Sequence, residues 1–166
     1  ASPRPLMRLL TQTLAILVPT SAASPPAPPA STLVDAARRG DPDAVKAMLG
    51  SKSVDVNATA ADGSTALEWA VQRDNAPMVN ALIRAGANVR SANAFGVQPL
   101  AIAAERGNTA ILRLLLSAGA DPNAGLSAGE TALMTAARTA KVDPIQALLE
   151  HGADLNARDQ RGQTAL

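Results

Sequence analysis

Residues 60–92 carry two helical patterns of apolar positions, separated by a polar break. A first helix is predicted by three apolar residues at three- and four-residue spacing, Leu67, Ala70 and Val71. A second helix is predicted by the same kind of spacing in Met78, Val79, Leu82 and Ile83. Gly86 stands where a left-handed cap usually ends a helix, and residues 88–94 are then expected to run out as an extended finger. One unit is therefore predicted to be helix, turn, helix and hairpin-like finger.

The same unit recurs with a period of 33 residues, which is the distance from Gly63 to Gly96. Four pentapeptides keep one frame and begin at Gly63, Gly96, Gly129 and Gly162. A second frame, Gly-Ala-Asn or Gly-Ala-Asp, keeps the period and begins at Gly86, Gly119 and Gly152. A fixed period of this length is typical of stacked supersecondary units that pack mainly on their neighbours. With 47% hydrophobic but only 1% aromatic residues, the composition also favours closely stacked aliphatic helices.

The repeated unit resembles the ankyrin repeat, and the resemblance covers about residues 31–166. It rests on the Thr-Ala-Leu or Gln-Pro-Leu tripeptides, Ala103-Ala104, Gly107-Asn108, Leu114-Leu-Leu116 and the Gly-Ala-Asp/Asn ends. The repeats lie at about 31–59, 60–92, 93–125 and 126–158, followed by a truncated unit at 159–166. The resemblance implies an all-α repeat fold, an ankyrin solenoid of helix-turn-helix units with hairpin-like fingers. It also implies a concave surface of fingers and first helices that binds a protein partner.

Two departures from the family's pattern change these expectations. The family's usual Thr-Pro-Leu-His ends here in Glu68, Ala101 and Met134, so the histidine that normally bonds across neighbouring turns is missing. Because one such hydrogen bond contributes about 1 kcal/mol, we expect an array less stable than a consensus one. The last unit stops at Leu166, at the start of its first helix, whereas arrays need a polar terminal cap. Our interpretation is that the chain is a fragment of a longer protein.

The first thirty residues do not share the period. Two arginines precede a short apolar stretch at residues 9–18, and small residues follow it, which is typical of a secretory signal peptide. Residues 1–23 are therefore predicted to be a signal peptide with Met7 as its natural start; the alternative is a disordered tail with an incidental apolar patch. The apolar stretch is shorter than the roughly 20 residues that cross a bilayer, so no stable membrane span is expected. Residues 24–30 are proline-rich and predict an extended linker.

This N-terminal pattern also carries the prediction for localisation. If the signal peptide is real, the protein is exported to the periplasm or outside the cell; otherwise it is cytoplasmic.

Composition and charge argue against several chemistries. Cysteine is absent and His151 is the only histidine, which excludes thiolate and multi-histidine metal sites within this chain. Gly125-Leu-Ser-Ala-Gly129 matches the nucleophile elbow of hydrolases, but that motif needs a strand before it and a helix after it. The net charge is +1, and removing residues 1–23 takes away two arginines and no acid, so no basic surface for nucleic acid is indicated. We expect a monomeric, non-enzymatic protein that binds protein, with no cofactor, metal or nucleic acid.

The candidate binding surface consists of the positions that match the family's variable contact residues. On the fingers and first helices these are Asp62, Ser64, Gln72, Arg73, Phe95, Val97, Glu105, Arg106, Glu130, Arg138 and Arg161. Phe95, the only phenylalanine, is expected at a finger tip, either as an exposed anchor for a partner or folded back onto its own finger. Trp69, the only tryptophan, is expected in the core, with its indole edge reaching the groove as the alternative.

One arginine falls near the end of each first helix: Arg39, Arg73, Arg106 and Arg138. Such a row would attract an acidic partner, or it would simply reflect the stabilisation of cations at helix C-termini. The preferred function is rigid recognition of a protein by the concave face. The rival is an accessory or targeting arm of a larger enzyme or electron-transfer protein whose active domain lies beyond Leu166. A small-ligand groove along the arginine row is a third interpretation.

Overall fold

The computed structural model describes residues 32–166, apart from the side chain of Ser127. The predicted signal peptide (1–23) and linker (24–30) lie outside these residues. The helices are α1 (Leu33–Arg39), α2 (Pro42–Leu49), α3 (Ala66–Gln72), α4 (Ala76–Arg84), α5 (Pro99–Arg106), α6 (Thr109–Ser117), α7 (Ala132–Arg138) and α8 (Val142–Glu150). A 3-10 turn, Ser127–Gly129, precedes α7. The prediction of an all-α repeat is confirmed, since residues 32–166 hold no strand and only an isolated bridge between Thr59 and Thr65.

Polar residues before the helices explain where the helices begin. In three first helices a threonine hydroxyl accepts the backbone N–H three residues further on, at Thr32, Thr65 and Thr131. In three second helices a carboxylate or amide oxygen does the same, at Asp41, Asn75 and Asn108. Each first helix is followed, directly or after one capping residue, by a residue whose backbone is in the left-handed conformation. These residues are Gly40, Asp74, Gly107 and Ala140. Glycine adopts this conformation without strain, and the other two residues do not.

The helices stack in two layers. The inner layer is α1, α3, α5 and α7, the outer layer is α2, α4, α6 and α8, and consecutive members of each layer pack on one another. Each inner helix also packs on the outer helix of its own repeat. The most completely buried large side chains include Leu67, Leu82, Ile111, Leu112, Leu115, Leu133 and Leu148. One continuous core therefore runs through the stack, and each repeat depends on its neighbours to bury its apolar face.

Three finger turns directly precede the inner helices α3, α5 and α7, and a fourth occupies the same place in the last unit. They span residues 60–64, 93–97, 126–130 and 159–163. In each, the N–H of the first residue donates to the carbonyl of the fifth, with N–O distances of 2.9, 3.1, 2.7 and 3.0 Å. Neighbouring fingers are joined as well, because the Ala94 N–H donates to the Asp62 carbonyl at 3.0 Å. The fingers are thus hairpin-like turns whose spacing is fixed by backbone hydrogen bonds.

A second set of bonds joins the repeats after the outer helices. The side chain of Asn57 donates to the Gly86 carbonyl at 3.3 Å and accepts the Asn88 N–H at 2.7 Å. Asn123 makes the corresponding two bonds two repeats later. The equivalent position in the repeat between them is Arg90, whose Nε donates to the Gly119 carbonyl at 2.7 Å. The fingers and first helices are therefore presented on a scaffold whose repeats are also tied to one another just after the outer helices.

Candidate protein-binding surface

Phe95 stands at the tip of the 93–97 finger with 73% of its surface exposed. Asn93 shapes this finger, since its Oδ1 accepts the N–H of Phe95 at 3.0 Å and the N–H of Val97 at 3.1 Å. In the 159–163 finger, the Oδ1 of Asp159 accepts the corresponding pair of N–H groups. Phe95 therefore does not fold away into its own finger, and a role as an anchor for a partner stays a prediction.

Behind this finger lies a cavity of about 370 Å³, which we name the finger groove. It is lined by Val97, Ala101, Glu105, Leu126, Glu130, Thr135, Arg138 and Thr139. A second depression of about 460 Å³ adjoins it, and Val97 and Glu105 line both. Three of the lining residues of the finger groove are apolar (Val97, Ala101 and Leu126), and the other five are polar or charged. The structure thus brings four predicted contact residues together: Val97, Glu105, Glu130 and Arg138.

The charges around the finger groove are not all balanced. The guanidinium of Arg138 forms an ion pair with the carboxylate of Glu130. Glu105 is exposed and belongs to none of the ion pairs formed within residues 32–166. The groove therefore holds one exposed acidic side chain that forms no ion pair within the described residues.

Two arginines of the row, Arg73 and Arg106, make contacts between repeats. The Nε of Arg73 donates to the Arg38 carbonyl, near the end of α1, at 2.6 Å. Arg106 forms an ion pair of 3.7 Å with Asp74 of the preceding repeat. Lys141, in turn, donates to the Arg106 carbonyl at 3.2 Å. Cations at these helix ends serve carbonyls that have no partner within the helix. These contacts engage Arg73 and Arg106 within the stack, and attraction of an acidic partner by the row stays a prediction.

Ser64 was predicted to be a contact residue for a partner, which requires an accessible side chain. In the structure Ser64 is only 4% exposed. Its hydroxyl accepts the indole N–H of Trp69 at 2.9 Å and donates to Asp62 Oδ1 at 2.6 Å. The bonds from the Ser64 hydroxyl and N–H hold the pKa of the Asp62 carboxyl below its usual value. The guanidinium carbon of Arg38 lies 5.0 Å from the Trp69 ring centroid. Trp69 is thus half-buried against the core, with a cation over its ring.

Glu68 occupies the position of the family's histidine and is 2% exposed. Its carboxylate accepts a hydrogen bond from the side-chain amide of Asn93, in the next repeat. Burial raises the pKa of Glu68 above its usual value, and the Asn93 bond opposes this shift. A bond across neighbouring turns therefore exists here although the histidine is absent. Sequence reasoning missed this pair, whose only signal is a carboxylate and an amide 25 residues apart.

The other predicted residues lie farther from the finger groove. Gln72 lines the adjoining depression, together with Arg106, and Arg161 is exposed on the 159–163 finger. The segment Gly125–Gly129 ends in the 3-10 turn Ser127–Gly129 and follows no strand, so it lacks the context that the hydrolase elbow requires. Across residues 32–166, no three metal-ligating side chains gather into a possible site, and no helix has the length and hydropathy to cross a membrane.

Comparison with known families identifies the repeat. A family described as ankyrin repeats in three copies matches residues 33–126, and one described as ankyrin repeats in many copies matches residues 115–166. The chain belongs to the ankyrin-repeat family, which confirms the resemblance, and ankyrin repeats are generally protein-interaction modules.

One relative is the palmitoyltransferase akr1 of Schizosaccharomyces pombe. It is 41% identical over 56 residues, which amount to 34% of this chain and 9% of that protein. The chain therefore spans less than a tenth of the length of this relative.

Proposed function

We propose that this chain is a protein-binding module that holds its partner against the 93–97 finger and the finger groove. The observation that supports the proposal best is the exposed Phe95 beside a groove that Val97, Ala101 and Leu126 line with apolar surface. A large aromatic side chain next to an apolar pocket is typical of the residues that dominate binding energy at protein interfaces.

The charges support a partner of particular chemistry. Arg73 and Arg106 are engaged by neighbouring repeats, whereas Glu105 lines the groove outside any ion pair of the described residues. We infer a partner segment with an apolar side chain for the groove and a basic side chain for Glu105. This differs from the acidic partner that an open arginine row would attract.

The test of the proposal compares two exposed hydrophobic residues, one on a finger and one on an outer helix. The partner is isolated with the tagged chain, and its affinity for the Phe95→Ala and Val142→Ala variants is then measured by calorimetry. Val142 is the matched control, because it is 72% exposed and begins the outer helix α8. We expect Phe95→Ala to weaken binding about thirtyfold, as for the loss of ~2 kcal/mol at an interface anchor. Equal affinities of the two variants would reject the proposal.

The charge of the partner is tested separately with Glu105→Gln. Removing this carboxylate is expected to weaken binding at low salt and to flatten the salt dependence of the affinity. Asp43→Asn is the control, since Asp43 is exposed at the start of the outer helix α2. An unchanged salt dependence in Glu105→Gln would mean that the partner brings no cation to this groove.

A second candidate function is an accessory arm of a larger enzyme or electron-transfer protein. The observation that favours it is the 41% identity of a 56-residue segment to a palmitoyltransferase. The coding sequence downstream of Leu166 decides between the two. A catalytic or cofactor-binding domain there would make the repeats an accessory arm, and a few further repeats ending in a polar cap would support the binding module. In either case we propose a monomer that does not bind nucleic acid.

A further inference from the structure

We propose that Glu68 is a positioning residue that acts through Asn93 on the backbone of the finger that carries Phe95. The second repeat would then control the shape of the binding tip of the third. Glu68 itself is buried, so it would act without touching a partner.

The chain of hydrogen bonds has a defined direction. The Asn93 side-chain N–H₂ donates to the Glu68 carboxylate, and the Asn93 Oδ1 accepts the N–H groups of Phe95 and Val97. An ionised carboxylate only accepts hydrogen bonds, whereas an amide has a donor end and an acceptor end. Glu68 therefore selects the amide orientation in which Oδ1 faces the finger. The opposite orientation would place two acceptors together and leave the finger N–H groups facing N–H₂.

The equivalent positions in the other repeats show that the two residues are matched. One period later the pair is Ala101 and Leu126, both of which line the finger groove. Leu126 has no side-chain acceptor, and that finger contains a 3-10 turn with Ala128 at a φ of 67°. Two periods later the pair is Met134 and Asp159, which border a common depression.

This last pair explains why asparagine is needed opposite a carboxylate. Asp159 accepts two finger N–H groups without a donor end, and its neighbour Met134 carries no charge. Opposite Glu68, an aspartate would bring two carboxylates together, and like charges in a partly buried site repel. Asn93 supplies the same acceptor for its finger and also a donor for Glu68.

The experiment is a double-mutant cycle on the full chain with Glu68→Gln, Asn93→Asp and the double variant. The readout is amide hydrogen exchange of the Phe95 and Val97 N–H groups at neutral pH, followed by NMR. The Arg161 and Gln163 N–H groups serve as the internal control, because Asp159 holds them independently. Local opening of the finger exposes an N–H group to exchange without unfolding of the stack.

Three results are expected. Glu68→Gln keeps an acceptor oxygen and should change the exchange rates of Phe95 and Val97 by no more than about twofold. Asn93→Asp should raise them about tenfold or more through repulsion between carboxylates. The double variant should restore slow exchange, since a glutamine at position 68 can donate to an aspartate at position 93. Unchanged exchange in Asn93→Asp, or no restoration in the double variant, would overturn the proposal.

A packing variant separates positioning from space filling. Glu68→Met introduces the residue that the fourth repeat has at this position, with similar volume and no strong acceptor. We expect faster exchange at Phe95 and Val97 and no change at Arg161 and Gln163. Slow exchange at all four would show that Glu68 only fills space. This variant also decides the matter if Asn93→Asp does not fold.

The exchange experiment does not depend on the proposed function, because it needs no partner. Affinity for the partner is a second readout, and it rests on the proposed function. Fast exchange in Glu68→Met with unchanged affinity would reject binding by the Phe95 tip and leave the positioning role intact.

Discussion

Replacing Gly63 by alanine tests whether a backbone close approach sets the spacing of the fingers. Gly63 has a φ of 76°, where a residue with a Cβ is strained. An added Cβ would lie 2.9 Å from the backbone nitrogen of Ala94. That nitrogen donates the hydrogen bond to Asp62 that joins two neighbouring fingers. The substitution therefore acts on the conformation of Gly63 and on the bond between fingers at the same time.

The two effects can be separated by a control. Left-handed strain costs about 1 kcal/mol, and weakening the bond between fingers costs about 1 kcal/mol more. Gly86 has a φ of 92°, but a Cβ added there meets nothing within 4 Å, so Gly86→Ala carries only the strain. We expect the free energy of unfolding to fall by about 1 kcal/mol more in Gly63→Ala than in Gly86→Ala. For a chain of this length the extra loss lowers Tm by roughly 2–4 °C.

Urea unfolding followed by the fluorescence of Trp69 is the suitable assay. Trp69 is the only tryptophan, and its indole N–H donates to Ser64, the residue next to Gly63. Its signal therefore reports on the repeat that is changed, and circular dichroism reports on the helices of the whole stack. Equal losses of unfolding free energy in Gly63→Ala and Gly86→Ala would refute the reasoning. They would mean that the close approach of the Ala94 nitrogen to Gly63 does not limit the side chain at that position.

Three further predictions concern other parts of the chain. Ala140 has a φ of 55° after α7, so Ala140→Gly should raise the free energy of unfolding by about 1 kcal/mol; a loss in urea unfolding would contradict this. Burial raises the pKa of Glu68 above its ordinary value of 4.5, so the folded wild type loses stability as pH rises from that value through the raised one. Glu68→Gln has no proton to lose there, and its stability relative to wild type should increase with pH across that window and then level off; a difference independent of pH would be the contrary result. N-terminal sequencing of the secreted natural protein should find a start close to Ser24, and a mature chain that begins at Met7 would exclude the signal peptide.

The sequence predicted the helices and their ends because these depend on neighbours along the chain. Apolar residues at helical spacing place the buried faces, and the hydroxyl of Thr65 caps α3. Gly86 is left-handed, as its place at the end of a helix predicted. The finger turns followed from the same period, since each is closed within five residues.

The bonds between repeats were not predictable in the same way. Glu68 with Asn93 and Arg73 with Arg38 are pairs of residues 25 and 35 positions apart. Which atoms meet depends on how the repeats stack, and a period alone does not give that rotation. The missing histidine suggested a missing bond, whereas the structure shows a carboxylate that makes a bond with a different partner.

Ser64 shows how one tertiary contact changes the role of a finger residue. By position it resembles Val97, which does line the finger groove. Ser64 is buried because the indole N–H of Trp69 donates to its hydroxyl. The residues equivalent to Trp69 in the next two repeats are Ile102 and Thr135, and neither carries an N–H donor on its side chain. The burial of Ser64 is therefore specific to the second repeat and cannot be transferred along the array.

The same position explains why we place the partner on the third and fourth repeats. In the second repeat, Trp69 fills the space between finger and inner helix, and Arg38 covers its ring. In the fourth repeat the equivalent residue is Thr135, which is much smaller and lines the finger groove. We infer that the volume of this one side chain decides whether the face is filled or open. Phe95 stands on the finger between these two repeats, next to the part of the face that remains open.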